Sequence, residues 1–507
     1  MKKQAILRSL LILLVIVIAL PVFAACKKDE EQPKDTEAYE QVTDDPRFEK
    51  DDLPADLSFN NTEIRWSICS SQAAYDYFAS DEQSTNLIDR EIYEATGVVE
   101  ERLDIILTFD LRQYSWATRA EDYSMVCQEI LNGVCESDII TGASCIPLYG
   151  GNSMLFEDIS QLNYIDLDKP WWDQNLKNAF GEGTYMVSGD AYLGSVSNLS
   201  CMYFNQDFLT DRGITENLYD TVKSGAWTLE KLEILTKDMY VEGDESTVLD
   251  DTYGVTFGDG NKYTSFINAF DVHFYNKNSD NVYTYAAASQ TTVEKMDRLK
   301  AFNFNNPQVL PCIGEHETEE YSIMIEGKGR LINRAFTEGR AAFTFSLFDD
   351  AKFFYNPEEF AIGLLPYPKY DEQQKNYSIN SSGVGFFIPV SARNADMSAA
   401  VLEAWSSQMY RSVIPVYFEE VLQLRYSTDN AMSSMFDLIR SSRTCRLDSL
   451  IEDPDLLNIG AWSMKGYMTK HPTYGNKSWS VLTAENELVA MAQLERIGEL
   501  FGFSVDY

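Results

Sequence analysis

The chain has 507 residues, 45% of them hydrophobic and 13% aromatic, more than one core usually organises and enough to fill two. It carries 41 Lys and Arg against 79 Asp and Glu, a net charge of −38. So acidic a surface repels phosphate backbones and anionic lipid, which makes nucleic acid a poor partner; otherwise the charge speaks for solubility and says little of a ligand.

Residues 1–25 open with Lys2, Lys3 and Arg8, continue in an apolar run from Leu10 that Pro21 breaks, and end in Phe23-Ala24-Ala25 before Cys26. The apolar stretch falls short of the about 20 residues that a spanning helix needs, so it reads as the core of a cleaved signal peptide. The residues before Cys26 resemble a bacterial lipobox, with Phe23 where Leu is usual. Lipidation of Cys26 and an anchor on the outer face of the cell membrane are therefore expected; the alternative is plain secretion with cleavage near Ala25. Residues 26–56 are acidic, hold Gln, Thr and Pro, and lack apolar periodicity, the mark of a disordered tether. The folded part is expected to begin near Leu57.

Residues 60–71 have the β-branched and aromatic character of a first buried strand. Leu87, Ile88, Ile92 and Ala95 fall near one helical face, with Gly97 as the expected stop. A strand over 98–109, a helix carrying Tyr123, Val126, Ile130 and Leu131, and a strand over 135–141 complete a βαβ rhythm typical of a mostly parallel sheet. Ligands of such sheets sit beyond the strand C-termini, so Thr141–Ser144 should face a cleft.

Gly194, Ser195, Ser197 and Asn198 then form a small-residue crossover into the apolar strand 201–204. Thr228 is the expected N-cap of a helix carrying Leu229, Leu232, Leu235 and Met239. Asp250 and Asp251 make a turn into a strand; with Asp244 they lack the alternating oxygen ligands of a calcium loop. Strand, helix and strand follow over 337–369, and the small polar stretch 376–388 is the natural return crossover. From Ser391 the chain is expected to be largely helical, with Leu488, Met491, Ile497 and Phe501 as the apolar face of the last helix. The domain reading is a first lobe over 57–195, a second over 196–378, and, over 379–507, the return crossover, the completion of the first lobe and C-terminal helices.

Beyond Cys26 the cysteines are Cys69, Cys127, Cys135, Cys145, Cys201, Cys312 and Cys445, an odd and scattered set that makes a poor disulfide framework. Cys127–Cys135 is the one pairing worth naming, and none is assigned. Three histidines and no paired cysteine spacing give no metal site, and no cofactor motif is present. The single His of residues 314–320 fails the spacing of a metalloprotease.

Several phrases, in order, carry a resemblance: YFNQDFL (203–209), GITENLYDTVKSGAWTLEKL (213–232), DDTYGV (250–255), Phe336 with Gly339–Phe343, GLLPYPK (363–369) and GVGFFIPVSARNADMSAAVLEAW (383–405). Together they resemble bacterial extracellular solute-binding proteins of the carbohydrate type, the lipoproteins that serve ABC importers. The resemblance implies an α/β, periplasmic-binding-protein-like fold of two lobes joined by hinge crossovers. It also implies a monomer that closes on a carbohydrate, hands it to permease subunits and is no enzyme.

Aromatic faces beside fixed polar groups suit a sugar. On that ground, and by their placement in the family, the expected lining is Ser144, Asn198, Asn268, Asp271, Ser346, Phe348, Asp349, Ser381 and Ser382. Trp171 or Trp172 is added because KPWWD follows a proline in a polar context, where burial of both rings is disfavoured; the alternative is a packing role. A capping role is the alternative for Asn268 and Asp271. Trp227 and Trp405 are expected to be structural, while Trp462 and Trp479 lie where the family's last helices reach the cleft. Competing functions are the same fold with a peptide or a sensory role, and a secreted glycoside hydrolase working through two carboxylates, for which no compact catalytic signature is present.

Overall fold

The computed structural model describes residues 49–506 other than 115–116, 151–154, 178–182, 245–247, 249, 259, 312–323, 326–328, 331–332, 355–358, 381–382, 419–429, 452 and 472. Cys26, Cys312, Ser381 and Ser382 thus lie outside the described residues.

β-Branched and aromatic residues at Thr62–Ile68 form β1, which pairs in parallel with β2 (Ile105–Leu111) and β3 (Ile139–Ala143). Between β1 and β2 runs the helix Leu87–Leu103, capped by the Asn86 side chain, which accepts from the Ile88 N–H at 3.0 Å. Gly97 does not stop it: Val99 and Leu103 extend the buried stripe of Ile88, Ile92 and Ala95, and the helix ends at Asp104, in the left-handed region with φ 52°. The strand expected over 98–109 is accordingly shortened to β2. The strand expected over 135–141 also starts late, because the Asp138 carboxylate, buried beneath Arg393, accepts from the Arg65 N–H at 3.0 Å.

Strands β4 (Ser200–Asn205), β5 (Tyr253–Phe257), β10 (Ala341–Leu347) and β11 (Ile362–Leu365) build a second sheet in the order β11-β4-β10-β5. Here β10 runs antiparallel to β4, with Tyr203 opposite Thr344, and parallel to β5. Every residue of β5 is buried, the continuous apolar pattern of a strand covered on both faces. Phe257 stacks on Phe345 at 4.8 Å. Trp227 is structural, as expected, its Nε1–H donating to the Pro366 carbonyl at 2.9 Å. Strands β6 (Tyr275–Lys277) and β7 (Val282–Tyr285) pair antiparallel, and β8 (Met324–Ile325) with β9 (Gly329–Arg330) makes a separate two-stranded pair.

The chain returns through β12 (Ile379–Asn380) to β13 (Val384–Phe387), which adds antiparallel to β3 and sets the first sheet as β13-β3-β1-β2. The C-terminal part then divides its contacts. Helix Ala395–Arg411 packs on Leu87–Leu103, whereas helix Asn430–Ser441 packs on β11. Short β14 (Arg443–Thr444) pairs with β12, and β15 (Ser504–Asp506) joins β7 in parallel. On helix Trp479–Phe501 the buried stripe is Leu482, Ala490, Leu494, Ile497 and Phe501; Leu488, expected in it, lies on the far side and is 79% exposed.

Contacts begin before Leu57. Asp51 forms a two-bond ion pair with Arg102, 2.5 and 2.6 Å, and Lys169 joins Glu49 and Asp52 at 2.6 and 2.7 Å. Burial opposes the charge of Asp51, but Arg102 outweighs it and holds the carboxyl below its usual range.

The first sheet and the helices packed on it form a first packing unit whose core is aromatic. Trp405 lies 5.5 Å from Trp66, 6.2 Å from Phe78 and 5.7 Å from Phe109, its Nε1–H bonded to the Ala191 carbonyl at 2.8 Å. Trp171 and Trp172 are also buried, at 1% and 3% exposure. This corrects the expectation that one ring stands free: both indole N–H groups donate to Glu403 Oε2, at 3.4 and 3.0 Å. Burial pushes the Glu403 carboxyl up to about 8 against those two donors. Trp479 is likewise enclosed, donating to the Ala287 carbonyl at 3.0 Å, and Trp462 is half-buried under Lys465.

Two outcomes are expected. Trp405→Ala should cost about 3–5 kcal/mol in chemical unfolding; a loss below about 1 kcal/mol would contradict the central position of this ring. Because folded Glu403 holds a proton that the unfolded chain releases near 4.5, stability should fall as pH rises from 4.5 through about 8. Glu403→Gln keeps an acceptor for both indoles and removes that slope, so urea midpoints at pH 5, 7 and 9 should converge on the wild type at low pH and exceed it at high pH. Parallel curves would refute the assignment.

Candidate ligand-binding site

The first passage between the sheets is the four-residue helix Gly194–Ser197, wholly buried. Gly194 is required there, since a Cβ would meet the Tyr192 ring at 2.2 Å. Ser197 Oγ lies 3.4 Å from the Tyr77 hydroxyl, and Asn198 closes the turn with its side chain exposed. Ser200, which opens β4, accepts from Ser265 at 2.8 Å.

The second passage meets the first through the short helix Phe266–Ala269, which packs on β12. Pairing of β12 with β14 sets Asn380 opposite Thr444. Asn380 Nδ2 donates to the Thr264 carbonyl at 3.5 Å, and Asn268 Nδ2 to the Thr444 carbonyl at 3.3 Å. Both amides are thereby oriented, and their oxygens, Asn268 Oδ1 and Asn380 Oδ1, are buried with no hydrogen-bond partner among the described residues. A buried acceptor left unmade costs about 1–3 kcal/mol, so two in one neighbourhood mark a place suited to hydroxyl or N–H donors.

A third strip closes the same neighbourhood. Arg446 donates to the Ile267 carbonyl at 3.3 Å and to the Val272 carbonyl, Asp448 accepts from the Phe274 N–H at 3.1 Å, and the Tyr275 hydroxyl donates to the Ile459 carbonyl at 2.8 Å. Toward the first sheet, Ser144 Oγ donates to the Leu450 carbonyl at 2.8 Å, and Arg119 clamps the Asp453 carboxylate at 2.6 and 2.8 Å. Residues 446–459 thus tie the strand ends of the first sheet to residues 266–275.

The expected lining fares unevenly. Asn268 sits in the polar junction, and Asn198 is exposed on the first passage, two residues before Ser200, which bonds Ser265. Ser144 lies at the end of β3 as expected, but it is 2% exposed and its hydroxyl is already bonded. Ser346 is enclosed and donates to Asp350. Phe348 is enclosed too, edge-on to Phe436 at 5.0 Å, and offers no stacking face. Asp349 pairs with Lys352. Asp271 is bonded to His273 at 2.8 Å, which holds its carboxyl below the usual range. Asn380, Thr264 and Thr444 were not singled out by the sequence, although Asn380 stands in the same small polar stretch as Ser381 and Ser382.

Among the described residues no group of three or more His, Cys, Asp or Glu is placed to hold a metal ion. Asp251 instead accepts from the Gly243 N–H and the hydroxyls of Tyr240 and Tyr253, at 2.8, 3.0 and 3.1 Å. Cys127 and Cys135 are not joined in a disulfide, and no described helix is long and apolar enough to cross a membrane.

Neither a protein-family model nor a curated protein sequence matches this chain. Solved structures do. The sugar-binding protein MalE from Xanthomonas citri is similar with a TM-score of 0.55 and 11% identity, over 87% of this chain and 99% of its own. The galacto-N-biose-/lacto-N-biose I-binding protein of the ABC transporter from Bifidobacterium longum gives 0.54 and 10%, over 88% and 99%. The maltose/maltodextrin-binding domain MalE from Bdellovibrio bacteriovorus gives 0.51 and 14%, over 86% and 100%. At such low identity the likeness speaks for architecture: this chain has the α/β fold of the periplasmic binding proteins.

Proposed function

We propose that this chain is the carbohydrate-capturing component of an ABC importer, cleaved after residue 25, lipid-anchored through Cys26 on the outer face of the cell membrane, and active as a monomer that delivers its ligand to permease subunits without chemical change. The observation that carries the reading is the pair of buried amide oxygens, Asn268 Oδ1 and Asn380 Oδ1, at the junction of the two passages. A sugar supplies hydroxyl donors for both and can use the carbonyls and hydroxyls around them. Support comes also from the ligands named for the similar structures, MalE bound to maltotriose among them. Asn198 and, outside the described residues, Ser381 and Ser382 complete the proposed lining, while Ser144 and Asp271 hold its walls in place.

Thermal unfolding of the soluble chain against mono- and oligosaccharides tests this, because a ligand of the folded state alone raises the midpoint. A saturable rise with one glycan class is expected, its half-saturating concentration raised about tenfold or more in Asn268→Ala, whose sugar-free midpoint should change little because the bond lost to the Thr444 carbonyl is offset by removal of the unmade Oδ1 acceptor. A rise with peptides and none with sugars would overturn the carbohydrate reading. For the anchor, Cys26→Ser should abolish palmitate labelling and release the protein from the membrane fraction of a bacterial host; retention of both would refute it.

A further inference from the structure

A groove of about 630 Å³ runs between helix Leu218–Lys223, residues 375–378 and helix Asn430–Ser441 with β14. Its wall holds Lys223, Lys375 and Arg443 and not one acidic residue. Lys369 stands behind it, next to Gly225 of the wall, its Nζ on the Gln374 carbonyl at 2.7 Å and 5.5 Å from the Tyr377 ring. Arg443 donates to the Arg440 carbonyl at 3.2 Å, and none of the four cations pairs with a carboxylate among the described residues. In a chain of net charge −38 this arrangement is conspicuous. The neighbouring depression shows the ordinary pattern: Glu216, Asp220, Glu230 and Glu372 line it together with Lys231, which is paired to Glu216.

Cations on one groove wall that have no carboxylate partner among the described residues leave charge unmet, and an oxyanion there accepts charge-assisted hydrogen bonds from lysine and arginine. Hydroxyls of Ser378, Ser434, Ser441 and Ser442 line the same groove, and Val222, Met435, Leu438 and Tyr377 supply an apolar wall. We propose that the groove binds a small organic oxyanion, a phosphate or carboxylate carried on a compact body, at a site that adjoins the polar junction at Thr444 but includes neither Asn268 nor Asn380. The wall residues Tyr377–Ser378 lead directly into β12 and Ser441–Ser442 into β14. An anion held by Lys375 and Arg443 therefore bridges the two strands of the return passage.

The test uses the full folded chain and thermal unfolding in sodium phosphate, sodium gluconate and sodium chloride at matched ionic strength. A saturable rise with phosphate or gluconate beyond that with chloride is expected, and which of the two is effective separates phosphoryl from carboxylate recognition. The rise should vanish in the double variant Lys223→Gln and Lys375→Gln, whose side chains are exposed, while any response to neutral sugars is unchanged. Equal curves in all three salts, or a rise undiminished in that variant, would overturn the proposal without bearing on sugar capture.

Discussion

Two close approaches of backbone to side chain govern how this molecule is put together. Gly194 lies under the Tyr192 ring and Gly385 against the Met186 side chain, where a Cβ would come within 2.2 Å of the nearest atom in both places. The first lies on the outward passage of the chain, the second on the strand that receives its return. At both places only a glycine leaves room for the neighbouring side chain, and small polar residues, Ser195 and Ser197 on one and Asn380 on the other, stand close by in sequence. Polar backbone and side-chain groups enclosed at such a place need partners, and the Ser200–Ser265, Asn380–Thr264 and Asn268–Thr444 bonds provide them. The two amide oxygens left over are the residue of this packing, and they give the junction its chemical character.

The sheets on either side are built by the opposite logic. β4, β5 and β10 bury nearly every side chain, and the first unit's core is a cluster of rings around Trp405. Close-packed ring clusters of this kind resist deformation, in contrast to the polar groups gathered at the crossings.

Much of this architecture was legible in the residues. The βαβ rhythm, the Thr228 cap, the turn at Asp250 and both crossovers follow from local chemistry, which acts over a few positions. Gly97 misled because helix continuation there is decided by the burial of Val99 and Leu103 against distant helix Ala395–Arg411, not by the glycine's own preference. The site was harder to read. Trp171 and Trp172 look exposed in KPWWD, yet their partner Glu403 lies 231 positions away from Trp172, and nothing local announces it. Phe348 follows a strand as a stacking aromatic does, but Phe418 and Phe436 enclose it from the C-terminal part. Asn380 passed unnoticed because an asparagine in a polar stretch becomes distinctive only once β14 lies beside it.

The attachment of residues 49–56 has a mechanical meaning. Asp51 is gripped by Arg102 of helix Leu87–Leu103 and its N–H is bonded to Ser407 of helix Ala395–Arg411, two helices that pack on each other. A pull applied at Glu49 therefore meets both helices before it reaches β1. Residues 49–56 are thereby fastened to the two helices that flank the first sheet rather than to the sheet itself.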